Sequence, residues 1–163
     1  MTIGLNCREA ITKARCRDFV EDLAMDPCHD IRRMNNDQKQ NGAESKPTIL
    51  IVEDELFNFI YFSEVLKMHG MESLKAENGE EALNKVKNHP SIDLILMDIK
   101  MPFMDGYQAF TEIRKVAPNI PIIAQTAYAL SHERKEILAY GFNDYLAKPV
   151  EEDTLMETVC RHL

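Results

Sequence analysis

Several things are scarce in this chain of 163 residues, and each absence narrows its function. No apolar run is long enough to cross a bilayer, and the opening MTIGLNCREA lacks the apolar core of a secretory signal. The expected location is the cytoplasm, with no membrane contact by this chain. A basic excess is also missing: 19 Lys and Arg face 27 Asp and Glu, for a net charge of −8, which disfavours a nucleic-acid surface. The four cysteines, Cys7, Cys16, Cys28 and Cys160, include no C-x-x-C pair. That spacing argues against a zinc site, and unpaired thiols in a reducing compartment are expected. No G-x-x-x-x-G-K-[ST] loop is present, so a phosphate cradle of that kind is excluded.

What is present is ordinary in bulk and uneven in layout. Hydrophobic residues make up 45% and charged residues 28%, usual for a globular domain with one core and a short appendage. Residues 35–46, NNDQKQNGAESK, hold no aliphatic side chain larger than Ala43 and read as a polar linker. Before it, residues 1–34 read as an N-terminal extension whose shifting apolar stripe suits one or two short helices. After it comes the main domain, residues 47–163; residues 46–163 carry 12 of the basic and 19 of the acidic groups, so the main domain is the acidic part.

Within 47–163, apolar strands alternate with amphipathic helices. Thr48–Val52, Ser73–Ala76, Ile92–Asp98, Pro121–Thr126 and Tyr145–Ala147 read as strands. Between them, Phe59, Phe62, Val65, Leu66 and His69 share a helical face closed by Gly70. Further helices begin near Glu80, follow Gly106, run from Ser131 to Tyr140, and cover 152–162. Near-continuous apolar strands interleaved with helices predict a five-stranded parallel sheet covered on both faces. Ligands in such sheets gather at the carboxyl ends of the strands, where the strand order reverses.

Polar residues fall at those ends. Glu53 and Asp54 follow the first strand, Asp98 ends the third, Thr126 ends the fourth and Lys148 follows the fifth. Singly, each has an unremarkable reading as a helix cap, a strand former or a solvated lysine. Together, three carboxylates at one edge repel one another unless a cation holds them, so the trio reads as a metal site with one member free to act as nucleophile.

The motifs ILIVEDE (49–55), LILMDIKMPFMDG (94–106), IIAQTA (122–127) and DYLAKPV (144–150) resemble the receiver domain of two-component response regulators. The phrase GFNDYLAKPV is most similar to receivers attached to hybrid sensor histidine kinases. The resemblance covers about residues 47–163. It implies a flavodoxin-like, doubly wound α/β fold with strand order 2-1-3-4-5 and five helices. It further implies that Asp98 accepts a phosphoryl group from a histidine kinase or a histidine phosphotransfer domain. Mg²⁺ (or Mn²⁺) would be held by Asp54, Asp98, the backbone carbonyl of Lys100, and Glu53 through water. Lys148 would neutralise charge, and Thr126 would hydrogen-bond a phosphoryl oxygen beside the small Ala127. Tyr145 would be the switch aromatic. The Lys148–Pro149 peptide would be cis, and the face of the fourth helix, fifth strand and fifth helix would change packing and support a homodimer. Such a protein is a phosphoacceptor, not a turnover enzyme.

Two features depart from the commoner pattern. The acid pair is Glu53-Asp54 where many relatives have two aspartates, and Lys100 and Tyr128 are bulky enough to slow attack by water on an aspartyl phosphate. A phosphatase of the haloacid dehalogenase type needs D-x-D after its first strand. Here the order is Asp98-Ile99-Lys100, on the third. With the last helix ending near Leu163, no effector domain is expected after it.

Overall fold

The computed structural model describes residues 46–127 and 131–163. The extension 1–34, most of the linker 35–46 and Tyr128 therefore lie outside the described residues. In chain order the elements are β1 (Thr48–Val52), α1 (Leu56–Met68), β2 (Glu72–Ala76), α2 (Gly79–Asn88) and β3 (Ile92–Asp98). They continue with α3 (Gly106–Val116), β4 (Ile122–Thr126), α4 (Ser131–Tyr140), β5 (Asp144–Ala147) and α5 (Glu152–His162). The five strands pair in parallel in the order β2-β1-β3-β4-β5. This is the predicted doubly wound order.

The reason lies in the strands. β1 and β3 are apolar at almost every position, and they are buried through their length except Asp93, with Thr48 half-buried. Such strands need cover on both faces. One face of the sheet supports a cluster of Leu50, Val52, Ile95, Met97 and Ala124 with α2, α3 and α4. The other packs Ile49, Ile51, Leu94, Leu96 and Ile123 against α1 and α5. Consecutive strands β1 and β2 lie on one side of the reversal and β3 on the other. The carboxyl ends of β1 and β3 thus flank the crevice.

Local chemistry sets the helix ends. Asn78 caps α2 by accepting from the Glu81 amide at 2.9 Å, and Glu81 in turn accepts from the Glu77 amide at 2.8 Å. Asp105 caps α3 by accepting from Gln108 N–H at 2.8 Å. Helix α1 closes at His69, with Gly70 just beyond at φ +74°, a conformation that favours glycine. His69 itself turns to α5, 3.1 Å from the Glu152 carboxylate.

Gly106 matters most for the site. Its N–H donates to the Ile99 carbonyl at 3.0 Å, bringing the start of α3 flush against the end of β3. A Cβ there would sit 2.4 Å from the Asp98 carbonyl oxygen and 2.8 Å from the Ile99 Cα, both backbone atoms that cannot rotate aside. Gly106→Ala is expected to cost about 3 kcal/mol, read as a fall in the urea midpoint. An unchanged midpoint would show that this close approach is not needed.

One expectation is corrected. Cys160, buried on α5, is disulfide-bonded, not an unpaired thiol. Spacing along the chain excludes short-range metal pairs, but a bond between distant cysteines depends on Cα separation in the fold and leaves no mark in the spacing. Among the described residues, no helix is long and apolar enough to cross a membrane.

Candidate functional site

The site is built outward from the last buried residues of β1 and β3. Val52 pairs with Met97, so Glu53 and Asp98 occupy the next level of adjacent strands. Both alternate onto the α1/α5 face, following Ile51 and Leu96. One carboxylate oxygen each from Glu53, Asp54 and Asp98 lie within 4.8 Å of one another. Asp54 is exposed, whereas Asp98 is buried and Glu53 has no exposure at all.

Lys148 reaches this trio from the far side. Its backbone N–H extends the β4–β5 pairing by donating to the Thr126 carbonyl at 2.8 Å, and Lys148–Pro149 is cis, as the resemblance implies. The ammonium then donates to Glu53 Oε2 at 2.6 Å and to Asp98 Oδ2 at 2.5 Å. Burial pulls the ammonium down, but its hydrogen bonds to Asp98 and Glu53, together with their charges, outweigh that and raise its pKa. It therefore stays charged at neutral pH.

The remaining lone pairs are largely met. Asp98 Oδ1 accepts from the Lys100 N–H at 2.9 Å, so the Asp98 carboxylate is held at both oxygens. Glu53 Oε1 accepts from Asn58 Nδ2 at 3.1 Å and, at the long end, from Glu55 N–H at 3.4 Å. With three carboxylates and one ammonium, the cluster keeps an excess of negative charge around hard oxygen donors. That donor set fits a cation such as Mg²⁺, which prefers carboxylates and retains several waters.

Glu53, Asp54, Asp98 and Lys148 are thus brought together as the sequence predicts. Thr126 ends β4, buried, one position beyond Gln125, which pairs with Asp98. Tyr145 pairs with Ala124 on β5 and packs against the cluster under α4, with the Arg134 guanidinium 5.2 Å from its ring centroid. It lies on the α4 face, opposite the row of acids. Lys100 is exposed at its side chain, and its backbone N–H is the group bonded to Asp98.

Sequence reasoning missed two residues here. Asn58 steadies Glu53 from α1, and no local pattern announces that contact. Gln125 stands out as a polar residue inside the apolar run IIAQTA, but the motif alone assigns it no role.

The comparisons agree with this geometry. Residues 49–160 match the response regulator receiver domain. The sensor histidine kinase GacS of Pseudomonas protegens is 33% identical over 135 residues, covering 80% of this chain and 15% of that kinase. Among solved structures, the receiver domain of sensor histidine kinase PA1611 from Pseudomonas aeruginosa has magnesium coordinated in its active-site cleft. It superposes with a TM-score of 0.66 at 36% identity, covering 72% of this chain and 98% of that one. A chain of the Saccharomyces cerevisiae co-crystal of the phosphotransfer protein Ypd1 with the receiver domain of the response regulator Ssk1 gives 0.67 at 29% identity, covering 74% of this chain and 91% of that one. The chain belongs to the response regulator receiver domain family, the signalling module of two-component systems, and is similar to the receivers of hybrid sensor histidine kinases.

Proposed function

We propose that residues 47–163 form a phosphoacceptor receiver that takes a phosphoryl group onto Asp98 from a histidine kinase or a histidine phosphotransfer domain. The observation that carries this reading is the Lys148 ammonium bridging Glu53 and Asp98 at 2.6 and 2.5 Å beside the exposed carboxylate of Asp54. It leaves a nucleophilic carboxylate oxygen, a fixed positive charge and an acidic cation site within one crevice. Residues 35–46 would link this domain to the extension 1–34.

A Mg²⁺ (or Mn²⁺) ion held by Asp54, Asp98, the Lys100 carbonyl and, through water, Glu53 would supply neutralisation of the incoming phosphoryl oxygens. The protein's own part is positioning. The Lys100 N–H fixes the rotation of the Asp98 carboxylate, and Asn58 holds Glu53 in place. An Asp98 oxygen attacks phosphorus, an O–P bond forms, and the N–P bond of the phosphohistidine breaks. The bonding pair returns to the imidazole nitrogen, and with its second nitrogen protonated the ring departs neutral.

Thr126 and Tyr145 would carry the switch. Both belong to the α4 side of the sheet, so a Thr126 hydroxyl drawn toward a phosphoryl group frees space there for the Tyr145 ring to turn inward. The face of α4, β5 and α5 would then repack and support a homodimer. Phe57 and Phe103, 85% and 92% exposed, follow Asp54 by three positions and Asp98 by five. Exposed aromatics near the acceptor favour a protein donor surface over a nucleic acid. The protein would act in the cytoplasm and be consumed stoichiometrically, not turn over substrate.

Incubation with acetyl phosphate and Mg²⁺ tests this. Intact mass is expected to show one added phosphoryl group, lost when the metal is chelated with EDTA. Labelling that is indifferent to EDTA, or absent altogether, would sink the reading.

A further inference from the structure

Gln125 has no place in the chemistry above, yet among the described residues it is the polar side chain with both terminal atoms buried and unpartnered. It is 0% exposed on β4, and neither its amide nitrogen nor its amide oxygen has a hydrogen-bond partner. Buried polar groups are normally paired, and an orphan of this kind calls for a partner that arrives in another state.

Its position says which state. In the sheet, Gln125 pairs with Asp98 on one side and Leu146 on the other. Glu53 stands at the same level beyond Asp98, so Glu53, Asp98, Gln125 and Leu146 form one row across four strands. Alternation puts that row on the α1/α5 face, since Ile51, Leu96 and Ile123, two residues earlier on their strands, all pack there. The amide therefore stands beside the Asp98 carboxylate, about 4.8 Å away across the sheet at the backbone. Lys148, two residues past Leu146, extends its ammonium from β5 across β4 to Asp98 and Glu53.

In the resting site, Asp98 has no need of the amide. Oδ1 takes the Lys100 N–H and Oδ2 takes Lys148. Once one Asp98 oxygen is bonded to phosphorus, the carboxylate becomes a neutral acyl group and the negative charge moves to the phosphoryl oxygens. The ammonium follows that charge. With Oδ1 as the attacking oxygen, Oδ2 becomes the acyl oxygen and gives up the ammonium; a cation can take one of its lone pairs, and a neutral amide suits the other.

Resting on the phosphoacceptor reading, we propose that Gln125 is a positioning residue whose amide, idle at rest, donates to the acyl oxygen of phosphorylated Asp98 and favours that form. An ordinary structural role would stabilise both forms alike. This role stabilises only one.

The test compares the wild-type chain with Gln125→Met, which keeps the length and removes the polar atoms. Urea unfolding is measured at rest, and the beryllofluoride–Mg²⁺ complex serves as the stand-in for the phosphorylated site. The variant is expected to match or exceed the wild type in resting stability, because an apolar isostere removes two unpaired buried atoms. Its affinity for beryllofluoride is expected to fall roughly five- to thirtyfold. Equal affinities would overturn the inference and leave the phosphoacceptor reading standing. A variant less stable at rest, or unable to fold, would overturn it too, since the amide would then have a resting partner. A wild-type chain that neither binds beryllofluoride nor labels with acetyl phosphate would overturn both.

Discussion

Asp98→Asn is expected to abolish acyl-phosphate formation. After incubation with acetyl phosphate and Mg²⁺, the variant should show no added phosphoryl group by intact mass, where the wild type gains one. The substitution is nearly isosteric, so the Lys100 N–H can still find an oxygen acceptor, as it does at 2.9 Å from Oδ1. What disappears is the anionic oxygen that would attack phosphorus and one of the two carboxylate charges beside the Lys148 ammonium. A neutral amide oxygen is a poor nucleophile, and among the described residues no other carboxylate has the same setting. Asp54 is exposed, without the buried position of Asp98, and Glu53 is wholly buried with its oxygens taken by Lys148 and Asn58. If the asparagine variant labels as well as the wild type, the acceptor lies elsewhere and the assignment of Asp98 is wrong.

Lys148→Met should show the next largest effect, in two measurements that separate its roles. The phosphorylation rate with acetyl phosphate is expected to fall by about two to three orders of magnitude, the usual consequence of losing one preorganised charge at a developing anion. Stability without metal is expected to fall by about 3 kcal/mol, because Glu53 loses its buried counter-charge and keeps only Asn58 and a long contact with the Glu55 amide. Mg²⁺ should recover much of the stability, since a cation among the same carboxylates relieves the same excess charge, and little of the rate. The pH dependence has a definite sign. Lys148 has a raised pKa in the folded chain, so its contribution is complete below the unfolded value of about 10.4 and is lost as pH rises through the folded value. The stability gap between wild type and variant should hold through neutral pH and close only in strong alkali. A gap that closes near pH 7 would mean another group is responsible.

Some parts of the molecule were readable as text. The strands were, because ILIV and LILM permit little besides burial on both faces, and an acid directly after such a run must stand at the sheet edge. The order of the sheet and the roles of Thr126, Tyr145 and Lys148 came from the resemblance of four motifs, not from periodicity. Contacts made across the fold were not readable. Nothing near Asn58 marks it as the residue that steadies Glu53, and nothing in the spacing of four cysteines marks Cys160 for a disulfide. His69 was placed on the inner face of its helix, and it proves half-buried because α5 offers it Glu152. Gln125 is an intermediate case: its polarity stood out in the sequence, and only the row of the sheet gives it meaning.

The two hydrogen bonds of Lys148 have a further consequence for how the chain acquires its chemistry. They join residues 95 and 50 positions apart in sequence, tying the end of β5 to the ends of β1 and β3. Closing loops of that length is entropically costly and comes after local structure has formed. β5 must be docked beside β4 before the ammonium can reach either acid, so a nascent or truncated chain holding only β1 to β4 has the carboxylates without their counter-charge. Competence to accept phosphate then becomes a report on complete folding, and a partly made domain stays silent in the relay.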